Sequence, residues 1–383
     1  MSERGRRIAI VRQRYNPFGG AERFVERALQ ALVAEGAEVT LLTRDWQGAA
    51  QSGFAQILCD PPYGGFGNSR VARDQGFARA VQEVLAQRRF DIVQSHERIA
   101  GCTIFRAGDG VHAAWLDHRA RVLSPWRRLG QRLSPYHRYV LEAERTMFAD
   151  ARLRAVICNS QMVADEIATY HPLAREKCHV IYNGVDTVAF SPEAVQALRA
   201  GARSALGIAD GLPVLLFVGN GFERKGVPQL LRALAAMRQR EAQLVVVGSD
   251  RKLKAMRQLA HRLGVLPRVH FVGAQKEVLP YLGAADGFVL PTLYDPGPNA
   301  VLEALACGLP VLTTSTCGAK EWIEEGRNGW VVDALDVEAM AERLDAMCAT
   351  RGMTASARNS VAHLTLPAMA DRLLDLYRSL DRD

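Results

Sequence analysis

The sequence predicts an α/β protein made of two doubly wound, Rossmann-like domains that face each other across a cleft. Three observations predict it. Short runs of Val, Ile and Leu alternate with helix-spaced segments along nearly the whole chain. The alternation lapses once, near residues 184–210, and then restarts. The chain, at 383 residues, is long enough for two domains with separate cores. The expected division is an N-terminal domain over 1–183 and a second domain over 184–367.

Ile8–Val11 is the first expected strand, and R-Q-R-Y-N-P-F-G-G-A-E-R follows it. A helix is expected over Ala21–Glu35, where Phe24, Ala28, Leu29 and Leu32 recur at helical spacing and Gly36 ends the pattern. Val39–Thr43 completes a β-loop-α-β unit whose loop places Gly19 and Gly20 at the helix start. Such a pair lets backbone approach a diphosphate, or makes a plain tight turn. It is not G-x-G-x-x-G, so the nicotinamide and flavin fingerprint is absent. After a helix over Val71–Arg88 and a strand over Asp91–Ser95 comes a second apolar stretch, Cys102–Phe105. Arg106, Asp109 and His112 cluster behind it, where open α/β sheets place ligand groups. Asp109 lies between two glycines and also reads as a turn former.

Segment Arg119–Arg154 carries nine arginines against three acidic residues, interleaved with Val122, Leu123, Trp126, Leu129, Leu133, Tyr136, Tyr139 and Val140. That pattern suits an anionic membrane surface, nucleic acid, or an Arg-rich solvated face. Ala155–Cys158, Gln161–Tyr170 and His179–Tyr182 continue the alternation. Asn183–Asp186 is a turn, and Phe190–Glu193 begins a linker helix.

The second half restarts at Val214–Val218, followed by G-N-G-F-E-R-K-G-V, which opens on Gly219, and a helix to about Met237. Further strands are expected at Leu244–Val247, Val269–Val272, Gly287–Leu290 and Val311–Thr313. Helices between them are expected near Leu253–Leu263, Val278–Ala284 and Ala300–Ala306, and a last one follows a break at Pro367. Arg224 and Lys225, flanked by Gly221 and Gly226, suit a phosphate: Lys as a point charge, Arg as a bidentate fork. In L-P-T-L-Y-D-P-G-P-N-A-V-L-E-A-L-A-C-G, Pro298 suits the first helical turn and Gly308 the C-terminal cap. Asp295 and Glu303 lie eight residues apart around that helix start. Placed there, they read as acceptors for sugar hydroxyls or as merely solvated carboxylates.

The hydrophobic content of 48% with 23% charged residues is that of a globular protein, and the net charge of +7 favours an anionic partner. The seven cysteines are scattered with no C-x-x-C pair, so reduced core thiols are expected rather than a metal site. No long apolar run precedes Arg12, and no 18-residue apolar run occurs, so a cytoplasmic location is expected.

With Gly19-Gly20, R-K-G-V and the Asp295-to-Glu303 spacing together, the chain resembles a GT-B glycosyltransferase of family 4. It is most similar to the lipopolysaccharide-core glucosyltransferase I group. The similarity covers nearly the whole chain, including P-F-G-G-A-E-R, V-V-G-S-D and G-L-P-V-L-T-T-S-T-C-G. The family's paired acidic motif is E-x7-E, and Asp295 here shortens the first arm by a methylene. The resemblance implies retaining transfer, without metal or other cofactor, from a nucleotide sugar such as UDP-glucose. It places Gly19 and Gly20 at the diphosphate and acceptor side, Gly219 among the donor-binding residues, Arg224 and Lys225 on the leaving group, and Asp295 at the donor sugar. Glu303 meets the ribose, and Pro298, Asn299 and Ala300 face the phosphates. Asp109 falls at a catalytic-side polar position, with His112 as a substitute. The last helix, 368–383, is implied to cross back to the N-terminal domain. A lipid-linked core oligosaccharide is the implied acceptor, with 119–154 peripheral on the inner membrane. The rival readings are a sugar-nucleotide epimerase on the same scaffold and a non-catalytic basic protein that binds membrane or nucleic acid.

Overall fold

The computed structural model describes residues 5–14, 33, 36–45, 54–61 and 70–380. The expected Ala21–Glu35 helix and the Gly19-Gly20 loop lie outside the described residues, save for position 33. Two compact units divide the chain, one of 1–182 with 369–383 and one of 183–368.

Among the described residues the first unit holds a seven-stranded parallel sheet. Its strands are β1 (Arg7–Val11), β2 (Glu38–Thr43), β3 (Ala55–Leu58), β4 (Ile92–Ser95), β5 (Ile104–Arg106), β6 (Ala155–Cys158) and β7 (Cys178–Val180). Their order is β3-β2-β1-β4-β5-β6-β7. β1, β4 and β6 are buried almost throughout, because a parallel sheet is covered on both faces and its strands read as continuous apolar runs. Each fully buried Val, Leu or Ile contributes roughly 1.5–3 kcal/mol. β3 was not expected: its A-Q-I-L is mostly exposed at a sheet edge and has neither an apolar run nor a clean alternation.

The second unit holds β8 (Val214–Val218), β9 (Gln243–Val247), β10 (Val269–Gly273), β11 (Gly287–Val289), β12 (Val311–Thr314) and β13 (Gly329–Val332), ordered β10-β9-β8-β11-β12-β13. The linker helix forms at Pro192–Leu206, where Ser191 accepts the Ala194 N–H as N-cap. The expected helices appear at Val227–Ala236, Leu253–Arg262, Leu279–Ala284 and Asn299–Ala306. Gly308 follows the last of these at φ 78°, the left-handed turn expected of it. β13 and the helices Val337–Ala349 and Thr354–Val361 are additions to the expected set. Pro367 does not break the last helix: the helix runs Leu366–Ser379, with Pro367 in its first turn, where a missing N–H costs nothing. That helix buries Leu373 and Tyr377, and the Tyr377 hydroxyl reaches Gln94 Oε1 on β4 at 2.7 Å.

In each sheet the strand order reverses once, between β1 and β4 and between β8 and β11. Loops leaving the carboxyl ends of strands at such a reversal diverge and leave a crevice, the ordinary ligand position of this architecture.

Candidate active site

The reversal in the second unit falls where the sequence placed its cations and its carboxylate. Arg224 and Lys225 lie in the loop after β8, and Asp295 in the loop after β11. Lys225 Nζ is 3.1 Å from Asp295 Oδ2, and Arg224 Nη1 is 3.5 Å from the same oxygen. Arg224 also donates to the Tyr294 carbonyl at 2.7 Å. Asp295 is 7% exposed. Burial pushes its carboxyl upward, but Lys225, Arg224 and the Gly297 N–H outweigh burial and hold it below the usual carboxylate range.

Backbone and threonine hydroxyls fix these loops to one another. The Arg224 carbonyl accepts Thr292 Oγ1 at 3.1 Å and the Leu293 N–H at 2.8 Å. The Thr292 carbonyl accepts Thr314 Oγ1 at 2.7 Å and Thr316 Oγ1 at 3.0 Å. The Asp295 N–H donates to Thr316 O at 3.1 Å, and its carbonyl accepts Gly318 N–H at 2.8 Å. Gly226, the N-cap of the Val227–Ala236 helix at φ 79°, faces the Pro291 carbonyl so closely that a Cβ has no room. Gly219 gives the same clearance to the Lys225 side chain.

Pro298 is the N-cap of the Asn299–Ala306 helix, outside its first turn, and makes no side-chain cap. A proline has no N–H, so it cannot offer one to a phosphate. The helix-start amides belong to Asn299 and Ala300, while Val301 N–H closes on the Pro298 carbonyl at 3.1 Å. Asn183 Nδ2 bridges Gly297 O at 3.2 Å and Asn299 Oδ1 at 2.7 Å, which fixes the approach to that helix. Glu303 lies one turn further in, half-buried.

Asp109 and His112 belong to the first unit. Asp109 is exposed in the turn closed by the Gly110 N–H on the Ala107 carbonyl. Arg106, expected beside it, is buried, with its guanidinium under Gly108. His112 starts the His112–Ala120 helix, and its N–H donates to both oxygens of Glu144, at 3.0 and 3.1 Å. Glu144 is 1% exposed and also accepts Arg98 Nε at 2.7 Å. Burial drives the Glu144 carboxyl upward, but Arg98, His171 and the His112 N–H prevail and bring it to about 2.

His96, Glu97 and Arg98 follow β4 directly and were not among the expected site residues. These residues sit at the β1/β4 reversal, where Glu97 accepts the Gln13 N–H at 3.0 Å and lies 3.6 Å from Arg12. Burial raises the Glu97 carboxyl, opposed by Arg12. Their position directly after a buried strand was the available signal. Glu144 had none, because its partners are 32 and 46 residues away in sequence.

Comparison with known proteins supplies the family and the fold. The Glycosyltransferase Family 4 model matches residues 18–189, and the model for glycosyl transferases group 1 matches residues 212–350. The chain belongs to glycosyltransferase family 4. Lipopolysaccharide glucosyltransferase WaaG of Escherichia coli is 27% identical over 329 residues, 85% of this chain and 84% of its own length. A D-inositol 3-phosphate glycosyltransferase of Xylanimonas cellulosilytica is 26% identical over 410 residues, covering 98% and 97%. The crystal structure of WaaG superposes with TM-score 0.83 at 24% identity, covering 96% of this chain and 99% of that one, so the fold is GT-B. For a family 4 glycosyltransferase, the β8/β11 reversal with its paired cations is the candidate donor end.

Proposed function

We propose that this glycosyltransferase moves a hexose such as glucose, with retention of configuration, from a nucleotide-diphosphate sugar to a lipopolysaccharide-core or similar glycan. The reading rests chiefly on the Arg224–Lys225–Asp295 cluster at the β8/β11 reversal. As the glycosidic bond breaks, negative charge grows on the diphosphate. Fixed cations and the amides of Asn299 and Ala300 stabilise that charge without reorganising. Asp295 and Glu303 accept hydrogen bonds from the sugar and the ribose. The departing phosphate takes the acceptor proton, so neither a carboxylate nucleophile nor a metal is required of the chain. In the absence of donor, Asp295 offsets one of the two positive charges and keeps both side chains placed.

The acceptor is lipid-linked on this reading, and the enzyme reaches it from the anionic cytoplasmic face of the inner membrane. Support comes from the Pro125–Leu133 helix and the turn before its cap: Trp126 is 83% exposed, Leu133 63%, and Val122 and Leu129 are exposed beside Arg127, Arg128 and Arg132. No helix among the described residues is long and apolar enough to cross a membrane.

The test is a panel of UDP-, ADP- and GDP-sugars read by melting temperature, followed by transfer to core oligosaccharide or to inositol phosphate. A rise in melting temperature with one nucleotide sugar, followed by its consumption only when glycan is present, is the expected result. Consumption without any acceptor, yielding an isomeric nucleotide sugar, overturns it.

A further inference from the structure

Behind His112 stands a chain of hydrogen bonds that the transfer reading leaves unused. His112 Nε2 lies 3.1 Å from His137 Nδ1, and His137 Nε2 lies 3.1 Å from Arg119 Nη1. The two rings are 5.2 Å apart and tilted by 39°. Arg119 is in the last turn of the helix that His112 begins, and His137 is in the first turn of Pro135–Ala149. The His137 backbone is held there by its N–H to Ser134 Oγ at 3.4 Å.

A guanidinium only donates, so His137 Nε2 must be the acceptor. A neutral His137 then carries its proton on Nδ1 and donates it to His112 Nε2. His112 in turn is left with its proton on Nδ1, the atom for which the described residues provide no hydrogen-bond partner. The other anchor of His112 is its backbone N–H on Glu144, which leaves the ring free to be set by His137.

We propose that Arg119 and His137 are positioning residues that hold His112 as a neutral imidazole donating from Nδ1 to a hydroxyl oxygen of the glycan acceptor at the carboxyl edge of the first sheet. The proposal rests on the glycosyl-transfer reading. Both rings are surrounded by cations that disfavour a second proton. Burial lowers His112 to about 4, with Arg98, His137 and Arg119 adding to it and Glu144 opposing. Burial, Arg119 and Arg70 lower His137, whose neighbour Tyr136 carries Arg70 over its ring. A cation at the end of the chain therefore fixes both the tautomer and the charge state.

The experiment uses the full chain and has two readouts. Imidazole nitrogen chemical shifts of the ligand-free protein at pH 7 should show the His112 proton on Nδ1. Arg119→Leu should release it to the Nε2 form, and Arg119→Lys, which keeps a donor-only cation, should restore it. With UDP-glucose as the probe, kcat should fall roughly tenfold or more in Arg119→Leu and His137→Leu with KM little changed. His137→Gln, which retains one acceptor and one donor, should recover most of that loss. The acid limb of the kcat profile should move to higher pH in Arg119→Leu, because removing a cation raises His112. A wild-type His112 protonated on Nε2, or full kcat in Arg119→Leu, overturns the proposal. If wild type consumes no nucleotide sugar at all, the functional reading fails, and the nitrogen shifts still decide the relay.

Discussion

Lys225, Arg224 and the Gly297 N–H together keep the buried Asp295 carboxyl below the usual carboxylate range, and the dependence on the two cations runs both ways. Removing either cation leaves a buried charge less compensated and takes a stabiliser from the leaving diphosphate. Lys225→Ala and Arg224→Ala should each lower turnover by about 10²-fold or more, measured by steady-state kinetics with the active nucleotide sugar. Turnover within twofold of wild type in both would remove the phosphate assignment. Asp295→Ala should behave differently: it frees the cations, so free nucleoside diphosphate should bind as well as before or better, while the sugar-bearing donor binds worse. Glu303→Ala should weaken both ligands alike. Calorimetric titration separates these cases, and equal losses for both ligands in Asp295→Ala would contradict its placement at the sugar. At this scale the sequence was readable wherever residue type and loop position coincide, as for Arg224, Lys225 and Asp295. It was not readable for Glu144, Arg98 and His137, whose partners are brought together only by folding.

Among the elements, the Pro125–Leu133 helix differs from its neighbours in what it leaves outside. The arginine-rich segment is not one amphipathic surface as its sequence suggested. It folds into parts of three helices: Val140 is buried, Tyr136 and Tyr139 are half-buried, and the apolar exposure is confined to Val122, Trp126, Leu129 and Leu133. Each arginine near an anionic leaflet contributes about 1 kcal/mol, screened within a Debye length. Arg127, Arg128 and Arg132 replaced together by Glu should release the protein from phosphatidylserine vesicles while leaving soluble donor binding nearly intact. Sedimentation with vesicles equal to wild type would make these arginines a solvated face only. Elsewhere, Gly226→Ala should destabilise the second unit, because the residue has positive φ and its Cβ would meet the Pro291 carbonyl. A denaturant midpoint equal to wild type would mean that the loop yields without cost. The strands that were legible are the continuous apolar runs of sheet interiors. β3 and β13 were missed because an exposed edge and a glycine-led four-residue strand do not show that signature.

Over the whole molecule, alternation predicts two parallel sheets, but strand order does not follow from alternation. The reversals at β1/β4 and β8/β11 had to be observed, and they explain why loops far apart in sequence converge. Buried ionisable groups also set how the protein meets acid. Glu144, near 2 when folded and about 4.3 when unfolded, contributes stability that is present above the unfolded value and lost as pH falls towards 2. His96 and His112 are held neutral by burial first, and then by Arg106 and Arg12 for His96 and by Arg98 for His112. The unfolded chain therefore binds more protons below about 6.5, and stability falls in that range as well. Urea midpoints should decline from pH 7 to pH 3.5, and Glu144→Gln should be less stable at pH 7 with a flatter decline below pH 4.5. A midpoint unchanged across that range would contradict the assignment of these buried charges. The central claim, that the β8/β11 reversal holds the diphosphate of a nucleotide sugar, is tested most directly by calorimetric titration. UDP, ADP and GDP, each beside its parent nucleoside, would be titrated into wild type and into the Arg224→Ala, Lys225→Ala double variant. One diphosphate should bind wild type at least tenfold more tightly than its nucleoside, and the double variant should lose that advantage; a diphosphate affinity within twofold of wild type in the double variant would contradict the claim.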